Sequence, residues 1–228
     1  MSFSLFIEQP CILCGDIIRE PNCLCQACQQ ELPYIHSACF SCGLPLEPSV
    51  ESDCCGQCVS SPPPTKQCIS LFHYQAPVDY LIKHMKYHNQ LTIAEMMGKA
   101  LAKKIRKLSK ALPEQIIPVP LHVERLKQRG YNQAIEISRQ ISTELNIPLN
   151  LTDCSRIKHT SPQFDIPATQ RSKNIKNAFE ISSQLQARHI ALVDDVMTTG
   201  STVWEIANSL LKSGVEQVDV WVCARATT

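Results

Sequence analysis

The sequence predicts an α/β protein in which a parallel-sheet domain follows a small cysteine-rich domain. Eight of the 13 cysteines form four C-x-x-C pairs before residue 59. After residue 66, short apolar runs alternate with helical patterns, which is typical of a parallel sheet covered by helices. Between these parts, residues 60–65 read Ser-Ser-Pro-Pro-Pro-Thr, and a proline run is a stiff spacer. We therefore expect domains at 1–60 and 67–228, joined by a linker at 61–66.

The first domain carries metal-ligand spacing. Its pairs are Cys11/Cys14, Cys25/Cys28, Cys39/Cys42 and Cys55/Cys58. Two thiolates at this spacing can face one ion across a tight turn, and two pairs complete the tetrahedral shell of Zn²⁺. The pattern predicts a double zinc-ribbon domain with two structural zinc ions. Sequential pairing closes shorter loops than interleaved pairing, so we prefer it, although the free-energy difference between them is small. The neighbouring Cys23 and Cys54 could replace a ligand.

The second domain is read as alternating strands and helices. Apolar runs predict strands near residues 68–74, 115–119, 149–156, 178–181, 190–193 and 217–224. Helical patterns lie near residues 78–87, 93–109 and 132–145, and another helix starts at Ser201. Cys68, Cys154 and Cys223 lie in apolar surroundings and are expected to be buried small hydrophobic residues.

Residues 190–202 carry the most informative motif: Ile-Ala-Leu-Val-Asp-Asp-Val-Met-Thr-Thr-Gly-Ser-Thr. The apolar strand leads into a turn at a helix N-terminus, where free amides and the helix dipole attract a phosphate. The candidate hydroxyl donors are Thr198, Thr199, Ser201 and Thr202. Gly200 permits a tight turn, while Asp194 and Asp195 can accept hydrogen bonds from vicinal hydroxyls. The motif predicts a phosphorylated-sugar site; the alternative is that the acids cap the helix or hold a lone Mg²⁺.

Two further segments are expected near this site. Residues 118–133 follow an apolar strand and so lie at the carboxyl edge of the sheet, where ligands of open α/β sheets bind. There Arg125, Lys127 and Arg129 could meet a pyrophosphate, and Asn132 could cap the next helix. A later polar loop of roughly twenty residues could form a lid. Its candidate contact residues are Gln163, Arg171, Asn174 and Lys176.

Charge is divided unevenly along the chain. The first 68 residues hold two basic and seven acidic side chains, and the remainder holds 20 and 14. A polyanion should therefore prefer the second domain. One basic run contains Lys99, Lys103, Lys104, Arg106, Lys107 and Lys110; it is either a solvated helix face or a phosphate-backbone patch. The sequence shows neither a secretory signal pattern nor a run approaching a membrane span, so we expect a cytoplasmic protein with reduced thiols.

Residues 190–202 resemble the 5-phosphoribosyl-1-pyrophosphate (PRPP) signature of type I phosphoribosyltransferases, and the whole chain resembles the ComF/GntX family of competence proteins. The family resemblance rests on the cysteine pairs, Lys86-Tyr87, Pro118-Val119-Pro120, Arg129-Gly130-Tyr131-Asn132-Gln133, Gln163, Arg171-Ser172-Lys173-Asn174, Ala178-Phe179 and the PRPP signature. It implies a phosphoribosyltransferase fold fused to a zinc domain, and a role in handling incoming single-stranded DNA during natural transformation.

The resemblance also sets expectations for ligands, partners and site residues. Asp194 and Asp195 would be the catalytic pair, and PRPP would bind with Mg²⁺. Lys127, Tyr131 and the lid residues would contact DNA or close the site. The inner-membrane DNA-uptake machinery is an expected partner, which would place the protein at the cytoplasmic periphery of that membrane without an integral span.

Two classes of function stay open at this point. One is a PRPP-binding protein that handles single-stranded DNA. The other is an active phosphoribosyltransferase acting on an unidentified base or amine acceptor, with catalysis by positioning and electrostatics. Type I enzymes usually recognise the acceptor through a separate segment, and no such segment is evident beyond the zinc module.

Overall fold

The N-terminal part of the chain consists of two small cysteine-containing ribbons. A computed structural model describes residues 8–19, 22–47, 52–158 and 175–227. Strands β1 (Gln9–Pro10) and β2 (Ile17–Ile18) pair in antiparallel fashion in the first ribbon, which ends in helix α1 (Gln26–Gln30). Helix α2 (Gly56–Ser60) occupies the corresponding place in the second. The short elements and tight turns bring the cysteines together.

Two groups of four cysteines form in these ribbons. One contains Cys11, Cys14, Cys25 and Cys28, and the other contains Cys39, Cys42, Cys55 and Cys58; within each group all Sγ atoms lie within 4.8 Å of one another. Sequential pairing is thereby confirmed over interleaved pairing. Neither Cys23 nor Cys54 belongs to a group, and Cys23 is buried among apolar side chains.

The chemistry of these groups fits Zn²⁺. The backbone N–H of Cys25 donates to the Sγ of Cys11 at 3.4 Å, and that of Cys55 donates to the Sγ of Cys39 at 3.2 Å. Burial opposes ionisation, but such backbone bonds lower the pKa of Cys11 and Cys39 below the usual thiol value. Burial and the neighbouring sulfurs raise the pKa of Cys58. Four thiolates so close together need a cation, and tetrahedral sulfur ligation is what structural zinc prefers.

The second part of the chain is built on four parallel strands. They are β3 (Cys68–His73), β4 (Gln115–Pro118), β7 (His189–Met197) and β8 (Gln217–Arg225), in the order β3-β8-β7-β4. The helices are α3 (Val78–Tyr87), α4 (Leu91–Leu108), α5 (Val123–Arg129), α6 (Gln133–Leu145) and α7 (Ser201–Lys212). The expected parallel-sheet α/β fold is confirmed, and β7 lies inside the sheet with a neighbour on each side.

Helices cover both faces of this sheet. Along β7, Ala191 and Val193 pack into the core that contains α3, α4 and α6. Ile190 and Leu192 point to the opposite face, where they pack with α7. Burial on both faces explains why β7 is a continuous apolar run rather than an alternating one. The buried positions of Cys68, Cys154 and Cys223 agree with the sequence expectation.

The zinc ribbons cover the outer edge of β3. The backbone N–H of Ile35 donates to Leu71 O at 2.9 Å, and that of His73 donates to Pro33 O at 2.9 Å. Further along, Cys68 N donates to Phe40 O at 2.8 Å. An open strand edge is a site of unwanted pairing. The ribbon segment satisfies this edge, and Leu24 shares a core with α3 and α4.

The end of the segment predicted as a linker packs against the rest of the chain. Thr65 is buried, and its hydroxyl donates to Ser41 O at 3.3 Å. Lys66 N donates to Val218 O at 2.8 Å. The residues that directly follow the prolines are therefore packed against both the second ribbon and the sheet. Because ribbon and sheet residues share one core, the exact boundaries 1–60, 61–66 and 67–228 stay a prediction.

Two local features of the structure were not predicted. Residues 123–129, to which the sequence patterns assign no element, form α5, which ends at Gly130 in the left-handed conformation. The strand expected at 149–156 is interrupted, because the side chain of Asn150 accepts bonds from Thr152 N and Asp153 N and turns the chain. Only β5 (Cys154–Arg156) remains, and it pairs with β6 (Phe179–Ile181) in a separate antiparallel sheet. None of the helices in the described ranges combines the length and apolar character that a membrane span requires.

The two cysteine groups predict two zinc ions per chain. Elemental analysis of the purified protein should return about two Zn²⁺, and Cys58→Ser should reduce the value to about one. Chelation should lower the melting temperature and promote aggregation, because loss of the ribbons exposes the edge of β3.

Zinc content near zero, or chelation without any change in melting temperature, would contradict this account. Cys223→Ser removes a cysteine outside both groups and serves as the matched control, with zinc content expected to stay at two.

Candidate ligand site at the carboxyl edge of the sheet

A cavity of about 550 Å³ opens at the carboxyl edge of the sheet. The end of α3, the segment after β4 and the turn between β7 and α7 form its walls. It brings together most of the residues predicted to bind a phosphorylated sugar: Arg125, Arg129, Asp194, Asp195, Thr198, Gly200, Ser201 and Thr202. Three chain segments that are distant in sequence therefore build one site.

The turn between β7 and α7 requires glycine. Gly200 has φ +83°, and a Cβ at this position would lie 2.6 Å from both Met197 Cε and Trp204 Cε2. Gly200 also supplies no capping side chain to α7. The N-terminus of α7 faces the cavity, and its N-cap residue has no side chain that could bond the first amides of the helix. A helix N-terminus of this kind favours an anion.

The hydroxyls of this turn do not all reach the cavity. Thr198, Ser201 and Thr202 line it, whereas Thr199 lies outside its wall. The Oγ1 of Thr199 is 2.8 Å from the Oγ of Ser201. Thr199 can therefore act on a ligand by orienting the hydroxyl of Ser201.

The two carboxylates at the end of β7 have different surroundings. Asp195 forms a largely buried ion pair with Lys86 from α3, with 2.8 Å between Nζ and Oδ2. Asp194 accepts a bond from the backbone N–H of Asp195 at 2.9 Å. Burial and the Asp195 charge raise the pKa of Asp194 to about 8. Asp194 is therefore a carboxyl that ionises reluctantly.

Cations line the same cavity as these carboxylates. Arg129 packs over the ring of Tyr87, with 5.6 Å from Cζ to the ring centroid, and donates to Gln133 Oε1 at 3.2 Å. Arg156 reaches the cavity from β5. Burial and the charge of Arg125 lower the pKa of Arg156 to about 10. Like-charged guanidinium groups thus share one side of the cavity.

Several lining residues were not predicted as ligand contacts. Lys86, Gln133 and Arg156 all line the cavity. Gln133 is buried, and its Nε2 has no hydrogen-bond partner in the described part of the chain. The motifs Lys86-Tyr87 and Asn132-Gln133 were a usable signal for two of these residues. Nothing in the sequence around Arg156 pointed to this cavity.

Other candidate residues lie elsewhere or are not described. Lys127 and Lys176 are exposed, and Tyr131 is half-buried just after α5; none of the three lines the cavity. Gln163, Arg171 and Asn174 lie outside the described residues. Asn132 caps α6 as expected, since its side chain accepts a bond from Ala134 N.

The basic run on α4 is only partly a solvated face. Lys104 donates to Ser70 O at 2.8 Å and also to Ile35 O, and burial lowers its pKa to about 8. Lys99 pairs with Glu95, and Arg106 donates to Glu144 O. The exposed Lys103 and Lys107 line a second groove of about 520 Å³ beside the first ribbon.

Comparison with known proteins gives matches to both parts of the chain. Residues 4–59 match the family described as double zinc ribbon domain. Competence protein F of Haemophilus influenzae is 38% identical over 97% of this chain and 99% of its own length. DNA utilization protein YhgH of Escherichia coli K12 is 34% identical over 89% of this chain and 90% of its own. Adenine phosphoribosyltransferase from Leishmania donovani has a TM-score of 0.42 at 12% identity, covering 69% of this chain and 83% of that chain.

The match to competence protein F spans nearly the full length of both proteins. It includes the ribbons that hold both cysteine groups and the parallel-sheet domain that holds the cavity. The chain therefore belongs to the ComF/GntX family of competence proteins.

Proposed function

We propose that this protein binds PRPP together with Mg²⁺ in the cavity at the carboxyl edge of the sheet, and that it handles incoming single-stranded DNA during natural transformation. One observation carries the PRPP proposal. A carboxylate pair, a helix N-terminus and a group of arginines meet in a single cavity. PRPP offers a partner to each, since it contains a ribose diol, a 5-phosphate and a pyrophosphate.

The carboxylate pair suits the ribose diol. Both hydroxyls of a vicinal diol can donate, and ionised carboxylates only accept. Lys86 occupies one oxygen of Asp195 and leaves the other for the sugar. Asp194 accepts a diol hydroxyl best when ionised. Binding should therefore release a proton from Asp194 to the solvent when the pH lies below about 8.

The N-terminus of α7 suits the 5-phosphate. Its first-turn amides can donate to a phosphate, and the hydroxyls of Thr198 and Ser201 add donors beside them. Gly200 lets the backbone adopt the left-handed turn before these amides, because a side chain there would meet Met197 and Trp204. Bonds to a charged acceptor are about twice as strong as neutral ones.

The opposite side of the cavity suits the pyrophosphate. Arg125, Arg129 and Arg156 can offer planar, multiply donating groups to its oxygens. The Nε2 of Gln133, which has no hydrogen-bond partner in the described part of the chain, adds a donor. Mg²⁺ would accompany the pyrophosphate, since this ion keeps several waters and usually binds phosphates with few protein ligands.

An active phosphoribosyltransferase would use the same groups. Asp194 and Asp195 would hold the sugar while the arginines stabilise a departing pyrophosphate, so catalysis would come from positioning and electrostatics. The acceptor is the open question. Release of pyrophosphate on addition of a base or amine would favour this alternative over a binding role.

The DNA part of the proposal rests on the cationic surfaces. Arg125 and Arg129 line the cavity, with Lys127 exposed on the same helix. On α4, Lys103 and Lys107 are exposed cations of the second groove, together with Lys99, which pairs with Glu95. We favour the α5 group, because its arginines converge at the edge of the sheet. Single strands bind through such basic tracks.

The PRPP site predicts a clear loss of binding. Wild-type protein should bind PRPP with Mg²⁺ in a calorimetric titration, and Asp195→Asn combined with Ser201→Ala should weaken binding by at least ~100-fold. Two charge-assisted contacts are lost, each of ~1.5–3 kcal/mol.

Ser209→Ala provides the matched control, because its hydroxyl on α7 bonds only within the helix. Unchanged affinity in the double variant, with a normal circular dichroism spectrum, would mean that the cavity binds something else.

The raised pKa of Asp194 predicts that this residue destabilises the folded protein as the pH rises. An acid whose pKa is raised by folding holds its proton longer in the folded state, so stability falls as the pH rises from about 4 to about 8. Asp194→Asn avoids this cost. Its melting temperature should equal that of the wild type at pH 4 and exceed it by several degrees at pH 8.5, because each unit by which folding raises the pKa costs about 1.4 kcal/mol.

The measurement is a series of thermal melts between pH 4 and pH 9. Glu180→Gln, which neutralises an exposed carboxylate on β6, should show no such growing difference. A melting temperature of Asp194→Asn below that of the wild type at pH 8.5 would refute the assignment.

DNA binding should depend on salt and should map to α5. Affinity for single-stranded DNA should fall with a log–log slope of roughly −0.7 per phosphate neutralised. Arg125→Gln combined with Arg129→Gln should flatten this slope, and PRPP should compete with DNA for the wild-type protein.

Lys103→Gln combined with Lys107→Gln is the matched pair on α4 and should leave the slope nearly unchanged. Salt-independent binding, or DNA held by residues 1–60 alone, would show the electrostatic argument to be wrong.

A further inference from the structure

The buried side chain of Arg225 joins the second cysteine group to the turn that faces the cavity. Its Nε donates to the carbonyl oxygen of Cys42 at 3.0 Å. Its Nη1 donates to the carbonyl of Met197 at 3.3 Å and to that of Thr198. One guanidinium group therefore bonds both a metal-ligating turn and the turn between β7 and α7.

Side-chain packing also connects the second cysteine group to the turn between β7 and α7. Trp204, on the first turns of α7, packs against Cys39, Cys42 and Cys58 of the second group. The same ring lies where a Cβ on Gly200 would be. The cysteine group and the N-terminus of α7 thus contact the two sides of one side chain.

The first cysteine group has different neighbours. Cys11, Cys25 and Cys28 pack with the core that contains α3 and α4. In the described part of the chain, no hydrogen bond joins this group to residues 197–201. The two zinc sites, similar in sequence, therefore differ in what they contact.

We propose that Arg225 is a positioning residue that makes the shape of the phosphate-facing turn depend on the second zinc site and not on the first. The link to ligand binding rests on the proposed PRPP function, whereas the mechanical link rests on the contacts alone. Metal ligation by Cys42 fixes the carbonyl that Arg225 bonds, and Arg225 in turn fixes the carbonyls of Met197 and Thr198. The amides of α7 then keep one orientation toward the cavity.

Amide hydrogen exchange tests the mechanical link without any ligand. Exchange in a peptide spanning residues 196–204 should be roughly tenfold faster, or more, in Cys58→Ser and in Arg225→Lys than in the wild type. Lysine keeps the charge but lacks the fork that reaches both turns. Cys28→Ser, the equivalent change in the first group, should leave exchange in this peptide unchanged.

Affinity for PRPP provides the second readout. Cys58→Ser and Arg225→Lys should each bind PRPP with Mg²⁺ at least ~10-fold more weakly than the wild type, and Cys28→Ser should bind within about twofold of it. PRPP should also slow release of one of the two zinc ions to a chromogenic chelator, because coupling between sites is reciprocal. Arg225→Lys, with its zinc content verified as two, should lose this protection.

Equal acceleration of exchange in Cys28→Ser and Cys58→Ser would overturn the proposal, and so would wild-type exchange in Arg225→Lys. If Cys58→Ser fails to fold, Arg225→Lys still decides. Absence of PRPP binding by the wild type would refute the proposed function, while the exchange measurement would still test the coupling.

Discussion

The tight turn from β7 into α7 is the constraint on which the candidate site depends. Only glycine fits at position 200, because Met197 and Trp204 occupy the space of a side chain. The turn places the carboxylates at the end of β7 beside the N-terminus of α7. Since β7 lies inside the sheet, segments that follow β4 can reach the same cavity from the adjoining strand. The proposed ligand would place its diol on the carboxylates and its 5-phosphate at the helix N-terminus.

Like charges lie close together in the cavity. The charge of Asp195 raises the pKa of Asp194, and Arg125 lies near enough to lower the pKa of Arg156. Each repulsion costs folding free energy that a neutral core would not. In the proposed complex, the hydroxyls of a phosphorylated sugar would donate to the carboxylates, and its phosphates would accept from the guanidinium groups, which would relieve both repulsions. Such internal conflict is common at functional sites.

Sequence patterns predicted the parts of this molecule that depend on local chemistry. The apolar run of β7, the glycine turn and the C-x-x-C spacing each specify structure within about fifteen residues, and the structure agrees with them. The approach of residues 118–133 to the motif was predicted, but individual contacts between distant side chains were not. The pairing of Lys86 with Asp195 depends on how α3 packs against the sheet. Helix α5 was missed because Val-Glu-Arg-Leu-Lys-Gln-Arg is short and carries no clear apolar stripe. The packing of Thr65 just after the proline run was not predicted either.

A crystal structure of the protein with PRPP and Mg²⁺ tests the central claim most directly. The account predicts the ribose diol on Asp194 and Asp195, the 5-phosphate against the first turn of α7 and the pyrophosphate among the arginines. Lys86 should remain within hydrogen-bond distance of Asp195. PRPP bound elsewhere, or bound in the cavity with its 5-phosphate away from α7, would contradict the account.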